Sequence, residues 1–290
     1  MTETAPSAAP FSRRDFLGAT AAATAMAATG TAALAGEEKP TTAGRVPGIQ
    51  LYTVRGSMED NVPATLTALA AMGYQALEFA GYANTDPAEI RVMLDDLGMT
   101  APSGHVDARE MRQDPMPMVE AGVTMRHEYL TIAWLREEDR QTLDDYRGWA
   151  EVLNRAGEAC KAAGMRMAYH NHDFELLPID GVLPMSVLIE ETDPDLVDFE
   201  LDFFWVHKAG MTVPDVLAMA PGRITMAHIK DMDADGNMVD LGAGIIDFKT
   251  LLASEAAATI RHPFAEHDNP SDPFRFAAIA RRELSGYLGA

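Results

Sequence analysis

The sequence predicts a single-domain (β/α)8 TIM barrel. Strand-like and helix-like segments alternate eight times, and parallel neighbouring strands need crossover helices of this kind. Without a leader of 35 residues, 255 of the 290 residues remain, close to the roughly 250 residues of a typical TIM barrel. Side chains that can bind a metal also stand at the ends of the last four predicted strands. That is the face on which these barrels carry their active sites.

The first four strands are predicted from short, β-prone apolar segments. They are residues 48–54, 74–79, 100–106 and 128–133. Apolar residues recur at helical spacing over residues 63–72, and Gly73 ends that helix. The next helix, residues 86–97, has Asp86 as its N-cap and Pro87 at its first position. The Met- and Pro-rich stretch between the third and fourth strands shows no clear helix.

The second half of the chain continues the alternation. Strands are predicted at residues 165–170, 196–202, 223–229 and 263–266, and helices at 137–163, 183–191, 213–218, 248–255 and 272–284. A doubly wound open sheet would alternate in the same way. No Gly-x-Gly-x-x-Gly follows the first strand, and this absence argues against a dinucleotide-binding sheet.

The first 35 residues read as an export signal. Arg13 and Arg14 precede Phe16 and Leu17, an Ala- and Thr-rich stretch follows, and residues 33–35 form a small-x-small cleavage site. This pattern resembles the twin-arginine signal, which implies the twin-arginine export machinery as a partner and a periplasmic or otherwise exported location. A disordered tail and a transmembrane anchor are the alternatives, and the stretch has too little Leu, Ile or Phe for a stable anchor. The predicted organisation is therefore a signal at 1–35, a linker at 36–44 and the barrel at 45–290.

Composition narrows the classes of partner. The formal net charge is −21, and such a surface repels phosphate backbones and anionic membranes, so no nucleic-acid partner is expected. Cys160 is the one cysteine, which excludes an intramolecular disulfide. It falls in a predicted helix and is expected to be a core residue.

The residues that carry chemistry are His170, Asp202, His228 and Glu266. They end the fifth to eighth predicted strands, and successive members are 32, 26 and 38 residues apart, about one βα unit each. Equivalent points on successive strands of a closed barrel share one rim, so these four side chains can meet at a single ion. Two imidazoles and two carboxylates suit Mn, Co, Zn or Fe(II) better than Mg or Ca, which prefer oxygen ligands. The alternative for any one of them is a hydrogen-bonded strand end.

At these positions the chain resembles the xylose isomerase-like TIM barrel superfamily, also called the sugar phosphate isomerase/epimerase family. The resembling segments are residues 169–175 (YHNHDFE), 200–205 (ELDFFW), 228–231 (HIKD), 266–268 (EHD) and 241–247 (LGAGIID), the last similar to the family's glycine turn before the final helix. The resemblance implies one divalent metal ion held by a Glu on strand five, an Asp on six, a His on seven and a Glu on eight. Asp202, His228 and Glu266 match that set.

Strand five departs from the family pattern, because His170 stands where the family has Glu. Either His170 or His172 is the ligand there. The change removes one of two metal-bound glutamates that the family's epimerases use as a proton-transfer pair. Glu266 remains as the candidate base, and Glu175 or Lys230 is the candidate acid. Members with a His-rich fifth strand resemble inosose dehydratases, so dehydration competes with epimerisation.

Other polar and aromatic residues at strand ends are expected to line the barrel mouth. Gln50, Glu78, His105 and Trp134 end strands one to four, and Phe204 and Trp205 follow Asp202. We expect substrate contacts from His105, His172, Trp205 and Glu78. Structural roles are the alternatives: a cap for loop amides in the case of Glu78, and packing beneath a loop in the case of Trp205.

The sequence thus predicts a metal-dependent sugar isomerase or epimerase that removes a proton next to the carbonyl of a keto-sugar or polyol-derived substrate. The alternative within enzymes is a lyase or dehydratase on an inosose or 3-keto glycoside. A non-catalytic sugar-binding barrel that kept the metal site is a third reading. An AP endonuclease shares the fold, but it needs a basic surface for DNA. The oligomeric state stays open.

Overall fold

Eight parallel strands close into a barrel in the order β1-β10-β7-β6-β5-β4-β3-β2. Their bounds are β1 Gly48–Gln50, β2 Ala76–Ala80, β3 Thr100–Val106, β4 Tyr129–Ile132, β5 Arg166–His170, β6 Val197–Asp202, β7 Ile224–Ile229 and β10 His262–Ala265. A two-stranded antiparallel hairpin, β8 Asp231–Met232 and β9 Met238–Val239, follows β7. This computed structural model describes residues 44–289. The predicted signal and nearly all of the predicted linker lie outside the described residues. The predicted TIM barrel is confirmed.

Helices follow the strands as predicted, with several additions. They are α1 Arg55–Asp60, α2 Val62–Ala71, α3 Pro87–Leu97, α4 Ala108–Gln113, α5 Met116–Met125, α6 Leu143–Ala162, α7 Pro184–Glu191, α8 Phe203–Lys208, α9 Val213–Met219, α10 Phe248–Ala253 and α11 Pro273–Leu288. The Met- and Pro-rich stretch therefore contains α4 and α5. The glycine turn at residues 241–247 leads into α10, not into the final helix α11. Within residues 44–289, no helix is both long and apolar enough to span a membrane.

The first strand and the long helix have other bounds than predicted, each because a side chain caps the backbone. The first strand stops at Gln50, whose side-chain oxygen accepts a hydrogen bond from the Tyr52 amide at 2.9 Å and starts a 3-10 turn. The long helix starts at Leu143, not at residue 137. Thr142 and Asp145 form a capping box there, which satisfies amides that a helix start leaves unpaired.

The core changes character along the barrel axis. Between sheet and helices it is apolar, and Trp149 and Cys160 are both fully buried there, which confirms the core reading of the cysteine. Inside the barrel a small apolar cluster includes Ala168, Met226 and Phe264. Each of these lies two residues before His170, His228 and Glu266 respectively, and side chains two apart on a strand share a face. The interior is therefore apolar at the floor and polar towards the carboxyl ends of the strands.

Candidate metal centre

The four predicted ligands occupy one rim of the barrel. His170 and Asp202 are the last residues of β5 and β6, His228 lies near the end of β7, and Glu266 directly follows β10. His170, Asp202 and His228 offer ligand atoms that all lie within 4.8 Å of one another. Glu266 adjoins them, with its Oε2 atom 2.8 Å from Nδ1 of His228. All four side chains are at least nine-tenths buried.

The atoms that meet here have few hydrogen-bond partners. Nδ1 of His170 is buried and has no hydrogen-bond partner among the described residues. Oδ2 of Asp202 and Oε2 of Glu266 are also buried, and each contacts the Lys230 ammonium. Buried polar atoms are nearly always hydrogen-bonded, and each exception calls for a reason. Two imidazoles and a carboxylate with ligand atoms within 4.8 Å of one another, and a second carboxylate beside them, fit a divalent ion of the transition-metal type. The residues present therefore fit the metal that the sequence pattern implies.

On strand five, the imidazole of His170 is held in its neutral form. Burial, followed by the nearby charges of His228 and His172, holds the pKa of His170 well below its usual value. A neutral imidazole keeps a lone pair for a metal. Burial lowers the pKa of His172 in the same way, and both rings line the cavity, 4.9 Å apart. Of the two, His170 is the one whose ligand atom lies within 4.8 Å of those of Asp202 and His228. The geometry therefore places His170, and not His172, in the ligand cluster.

Lys230 provides a fixed positive charge beside these ligands. Its Nζ lies 3.0 Å from Oδ2 of Asp202, 2.9 Å from Oε2 of Glu266 and 2.9 Å from Oδ1 of Asp268. Burial alone would lower the pKa of Lys230, but Asp202, Glu266 and Asp268 raise it well above the usual value. An ammonium held by three carboxylates gives up its proton reluctantly. The geometry thus supports charge compensation better than the predicted acid role.

Glu266 is held in its ionised form. Burial alone would raise its pKa, but the charges of Lys230 and His228, and hydrogen bonds from both, lower it far below the usual range. Asp202 differs, because burial outweighs the same two cations and raises its pKa to about 6. Glu266 is also among the residues that line the cavity. It therefore combines an ionised carboxylate with access to a ligand.

A second polar layer holds His228 from below. Its Nε2 atom lies 2.6 Å from Oε2 of Glu78 and 3.3 Å from Oε2 of Glu200. Glu78 also accepts a hydrogen bond from Nε2 of Gln50 at 2.8 Å. Burial alone would lower the pKa of His228, but the charges of Glu200, Glu266 and Glu78 raise it well above the usual value, so both ring nitrogens carry protons in the metal-free chain. A metal bound at Nδ1 would displace the proton there, while the carboxylate of Glu78 would keep the other proton on Nε2. Glu78 is fully buried and is not among the cavity-lining residues, so its position supports orientation of His228 in place of the predicted substrate contact.

Glu200 was overlooked as a site residue by the sequence reasoning. It lies two residues before Asp202 on β6, and the period of two along a strand was the signal that places both in the barrel interior. Its Oε2 atom is also 3.0 Å from Nε2 of His105. The carboxylates of Glu78 and Glu200 outweigh burial and raise the pKa of His105 to about 9. His105 lines the cavity, so it presents an imidazolium there at neutral pH.

Glu175 lies away from the cavity. Its side chain is fully buried, accepts a hydrogen bond from the Tyr169 hydroxyl at 2.5 Å and another from the His172 amide at 2.8 Å. Burial raises its pKa to about 7. It is not among the residues that line the cavity. Its contacts support a role in shaping the turn after β5, and not the predicted role as an acid.

The cavity opens above the candidate ligands and has a volume of about 560 Å³. Trp134, His172 and Trp205 lie on its wall, as the sequence analysis expected for the barrel mouth. Phe204 is not among the lining residues and is buried. The further lining residues are Tyr52, Ala133, Asp268 and Asn269. These four were missed as site residues, because each lies just beyond the carboxyl end of a strand, where the strand period of two no longer indicates direction.

Comparison with known proteins supports this reading of the fold. Residues 66–254, more than half of the chain, match the family model described as xylose isomerase-like TIM barrel. A curated relative is an inosose dehydratase from Geobacillus kaustophilus, 24% identical over 194 residues, which cover 59% of this chain and 62% of the relative. The chain thus matches less than two thirds of that relative's length.

Solved structures show the same architecture. A sugar phosphate isomerase/epimerase from Parabacteroides distasonis superposes with a TM-score of 0.72 at 22% identity, over 88% of this chain and 98% of that one. The IolI protein, solved with a bound zinc atom, superposes with a TM-score of 0.68 at 16% identity, over 84% of this chain and 98% of that one. At these identities the likeness establishes the fold alone.

Proposed function

Because this chain belongs to the xylose isomerase-like TIM barrel family, we propose that it is a divalent-metal-dependent enzyme that removes a proton next to the carbonyl of a sugar or polyol-derived substrate. The observation that carries the proposal is the cluster of buried ligand atoms of His170, Asp202 and His228, with Glu266 beside it, next to an open cavity that His170 and Glu266 line. A bound metal of this kind supplies a Lewis acid for substrate oxygens. The zinc atom in the IolI structure and the dehydratase relative are consistent with it.

Glu266 is the base in this proposal. It lines the cavity, and the neighbouring Lys230 and His228 keep it ionised, the form that a base needs. Because its low pKa also makes it a weak base, the reaction requires an acidic substrate proton, such as one next to a carbonyl. Lys230 holds the carboxylate in place through its 2.9 Å contact with Oε2. In the closed strand order, β1 and β2 separate β10, which Glu266 follows, from β3, which carries His105. Base and imidazolium therefore stand on different arcs of the mouth.

This asymmetry favours elimination over epimerisation. The family's proton-transfer pair would need a second carboxylate on strand five, but that strand has His170 and the nearby Glu175 is buried away from the cavity. The other carboxylate that lines the cavity, Asp268, lies two residues beyond Glu266 on the same side and pairs with Lys230. A carboxylate base paired with an imidazolium acid suits removal of a proton and protonation of a leaving group. We therefore place a lyase or dehydratase first, and an isomerase or epimerase second. The sequence pattern of residues 1–35 supports export, where free sugars and glycosides are the more plentiful class.

The test combines metal analysis with the fate of the proton. We expect the purified protein to hold about one metal per chain, Asp202→Ala to lose it, and Asp235→Ala, at an exposed aspartate on the hairpin, to keep it. Glu266→Gln is expected to lower turnover by at least about 100-fold, within the range for a positioned general base. If Asp202→Ala and Glu266→Gln keep full metal and activity, the proposed site is wrong.

The substrates to assay are free keto-sugars, inososes and 3-keto glycosides in deuterated solvent. Unsaturated product supports the lyase. Deuterium exchange at the α-carbon without elimination supports the isomerase or epimerase. Sugar binding with neither result in the metal-loaded protein would support the non-catalytic barrel and contradict the proposal.

A further inference from the structure

The cavity is larger than one sugar ring requires. A hexose has about twelve non-hydrogen atoms and, at roughly 15–20 Å³ per atom against about 30 Å³ for a whole liquid water, fills on the order of 200 Å³. The cavity volume is about 560 Å³. A ring seated next to His170 and Glu266 at the floor leaves more than half of that space towards the rim.

Two exposed aromatic side chains stand at this rim. Trp134 is 51% exposed and Tyr52 is 43% exposed, whereas Trp149 in the core is 1% exposed. Tyr52 lies in the 3-10 turn that follows β1, and Trp134 lies just beyond the end of β4. In the closed order of strands, β2 and β3 stand between β1 and β4. The two rings therefore approach the cavity from different arcs. Large exposed apolar surface beside a cavity is typical of a binding site.

Both rings are held in place by their neighbours. The edge of Trp134 meets the rings of His172 and Phe174, with centroid distances of 4.8 Å and 5.2 Å and interplanar angles of 85° and 86°. The Arg55 guanidinium covers one face of Tyr52 at 4.1 Å from the ring centroid and also donates to the carbonyl of Asp268 at 2.6 Å. Rings fixed in this way can stack on a flat ligand at little entropic cost.

The cavity offers little to a phosphate group. Two cationic side chains line it, Lys230 and His105. Three carboxylates already surround Lys230, and Glu78 and Glu200 already pair with His105. An anion that approached Lys230 would meet the negative charges of Asp268 and Glu266. The lining therefore suits an uncharged ligand.

We propose that the substrate is an uncharged two-ring glycoside, whose reacting ring lies at the metal centre and whose second ring lies on Trp134 and Tyr52. This inference rests on the proposed function and names the substrate class for the same site. The second ring is either another sugar or an aromatic group, because both present a flat apolar face to an indole. Trp205, half-buried deeper in the cavity, is left to contact the reacting ring.

The test is equilibrium binding to the zinc-loaded protein, measured by titration calorimetry with methyl β-glucoside, cellobiose and phenyl β-glucoside. We expect cellobiose or phenyl β-glucoside to bind roughly tenfold more tightly than methyl β-glucoside, and the stronger of the two identifies the second ring. Trp134→Ala should remove that advantage and leave methyl β-glucoside within about twofold. Trp134→Phe, which keeps a ring, should retain most of the advantage.

Failure of the second-ring site and failure of the proposed function give different results. Equal affinities for one-ring and two-ring ligands, or an advantage that survives Trp134→Ala, overturn the second-ring site and leave the proposed function standing. Tighter binding of glucose 6-phosphate than of methyl β-glucoside overturns the preference for an uncharged ligand. Absence of binding by all of these sugars, together with absence of metal from the purified protein, contradicts the proposed function itself.

Discussion

Replacing Glu78 by Gln tests how the barrel orients His228, a proposed metal ligand. Oε2 of Glu78 lies 2.6 Å from Nε2 of His228, and both side chains are fully buried. A hydrogen bond to a charged group contributes about 1.5–3 kcal/mol and a neutral one about 0.5–1.5 kcal/mol, so the substitution removes on the order of 1–1.5 kcal/mol. The amide oxygen of Gln keeps the shape and can still accept one hydrogen bond. The loss therefore falls on the charge that holds the imidazole proton on Nε2.

The expected result is weaker metal binding without loss of the fold. An energy of about 1.4 kcal/mol corresponds to a tenfold higher Kd, the lower end of the roughly 10–100-fold effect of removing an outer-shell partner of a metal-binding His. The Kd for zinc is measured at pH 8 by competition with a chelating dye. Circular dichroism and urea denaturation of the metal-free proteins show whether the Glu78→Gln variant folds like the parent.

The matched control is Glu128→Gln. Glu128 also faces a histidine, with Oε2 3.3 Å from Nε2 of His262, but its side chain is half exposed and lies at the other end of the barrel. The Kd of the Glu128→Gln variant for zinc is expected to stay within twofold of that of the parent. A Glu78→Gln variant that binds zinc as tightly as the Glu128→Gln variant would refute the orienting role of Glu78.

Two further predictions concern stability. Burial raises the pKa of Glu175 to about 7 from an ordinary value of 4.5, so the folded protein holds more protons than the unfolded chain between these values and loses stability as pH rises through that window. Glu175→Gln, which keeps an acceptor for the Tyr169 hydroxyl, should therefore gain about 2–3 kcal/mol relative to the parent between pH 5 and pH 8 in urea denaturation; a constant difference contradicts the raised pKa. In Gly244→Ala, the new methyl group would overlap the Asp231 carboxylate that accepts from the Gly244 amide, so we expect a loss of about 1–3 kcal/mol in thermal unfolding. Gly56→Ala, where nothing lies within 4 Å, should be neutral or slightly stabilising, and equal effects of the two changes would rule out the overlap.

The metal centre shows which site residues sequence reasoning can find. Asp202, His228 and Glu266 were identified because each ends a strand of one barrel, and strand ends of a closed parallel barrel share a rim. Glu200 was within reach of the same reasoning, since it precedes Asp202 by two residues on β6. These side chains are placed by strand periodicity and by repeated βα units, which are local properties of the chain.

The roles of neighbouring groups were less accessible. Glu175 lies five residues beyond His170, close enough to be proposed as an acid. The turn after β5 instead buries it against the Tyr169 hydroxyl. Lys230 follows His228 by two residues and does reach the site, but three carboxylates hold its charge. Loop direction and the balance of several buried charges depend on contacts between distant segments, which no local pattern reports.

The sequence by itself determined the barrel and the rim on which chemistry can occur, because hydrophobic periodicity and the spacing of strand ends are written along the chain. Only the tertiary structure decided that Glu78 and Glu200 support His228 from below, and that His170, and not His172, faces the other ligands. It also decided that an aromatic rim surrounds a cavity with room for a second ring. Each of these depends on side chains from separate βα units meeting in space, and their meeting is a property of the closed barrel.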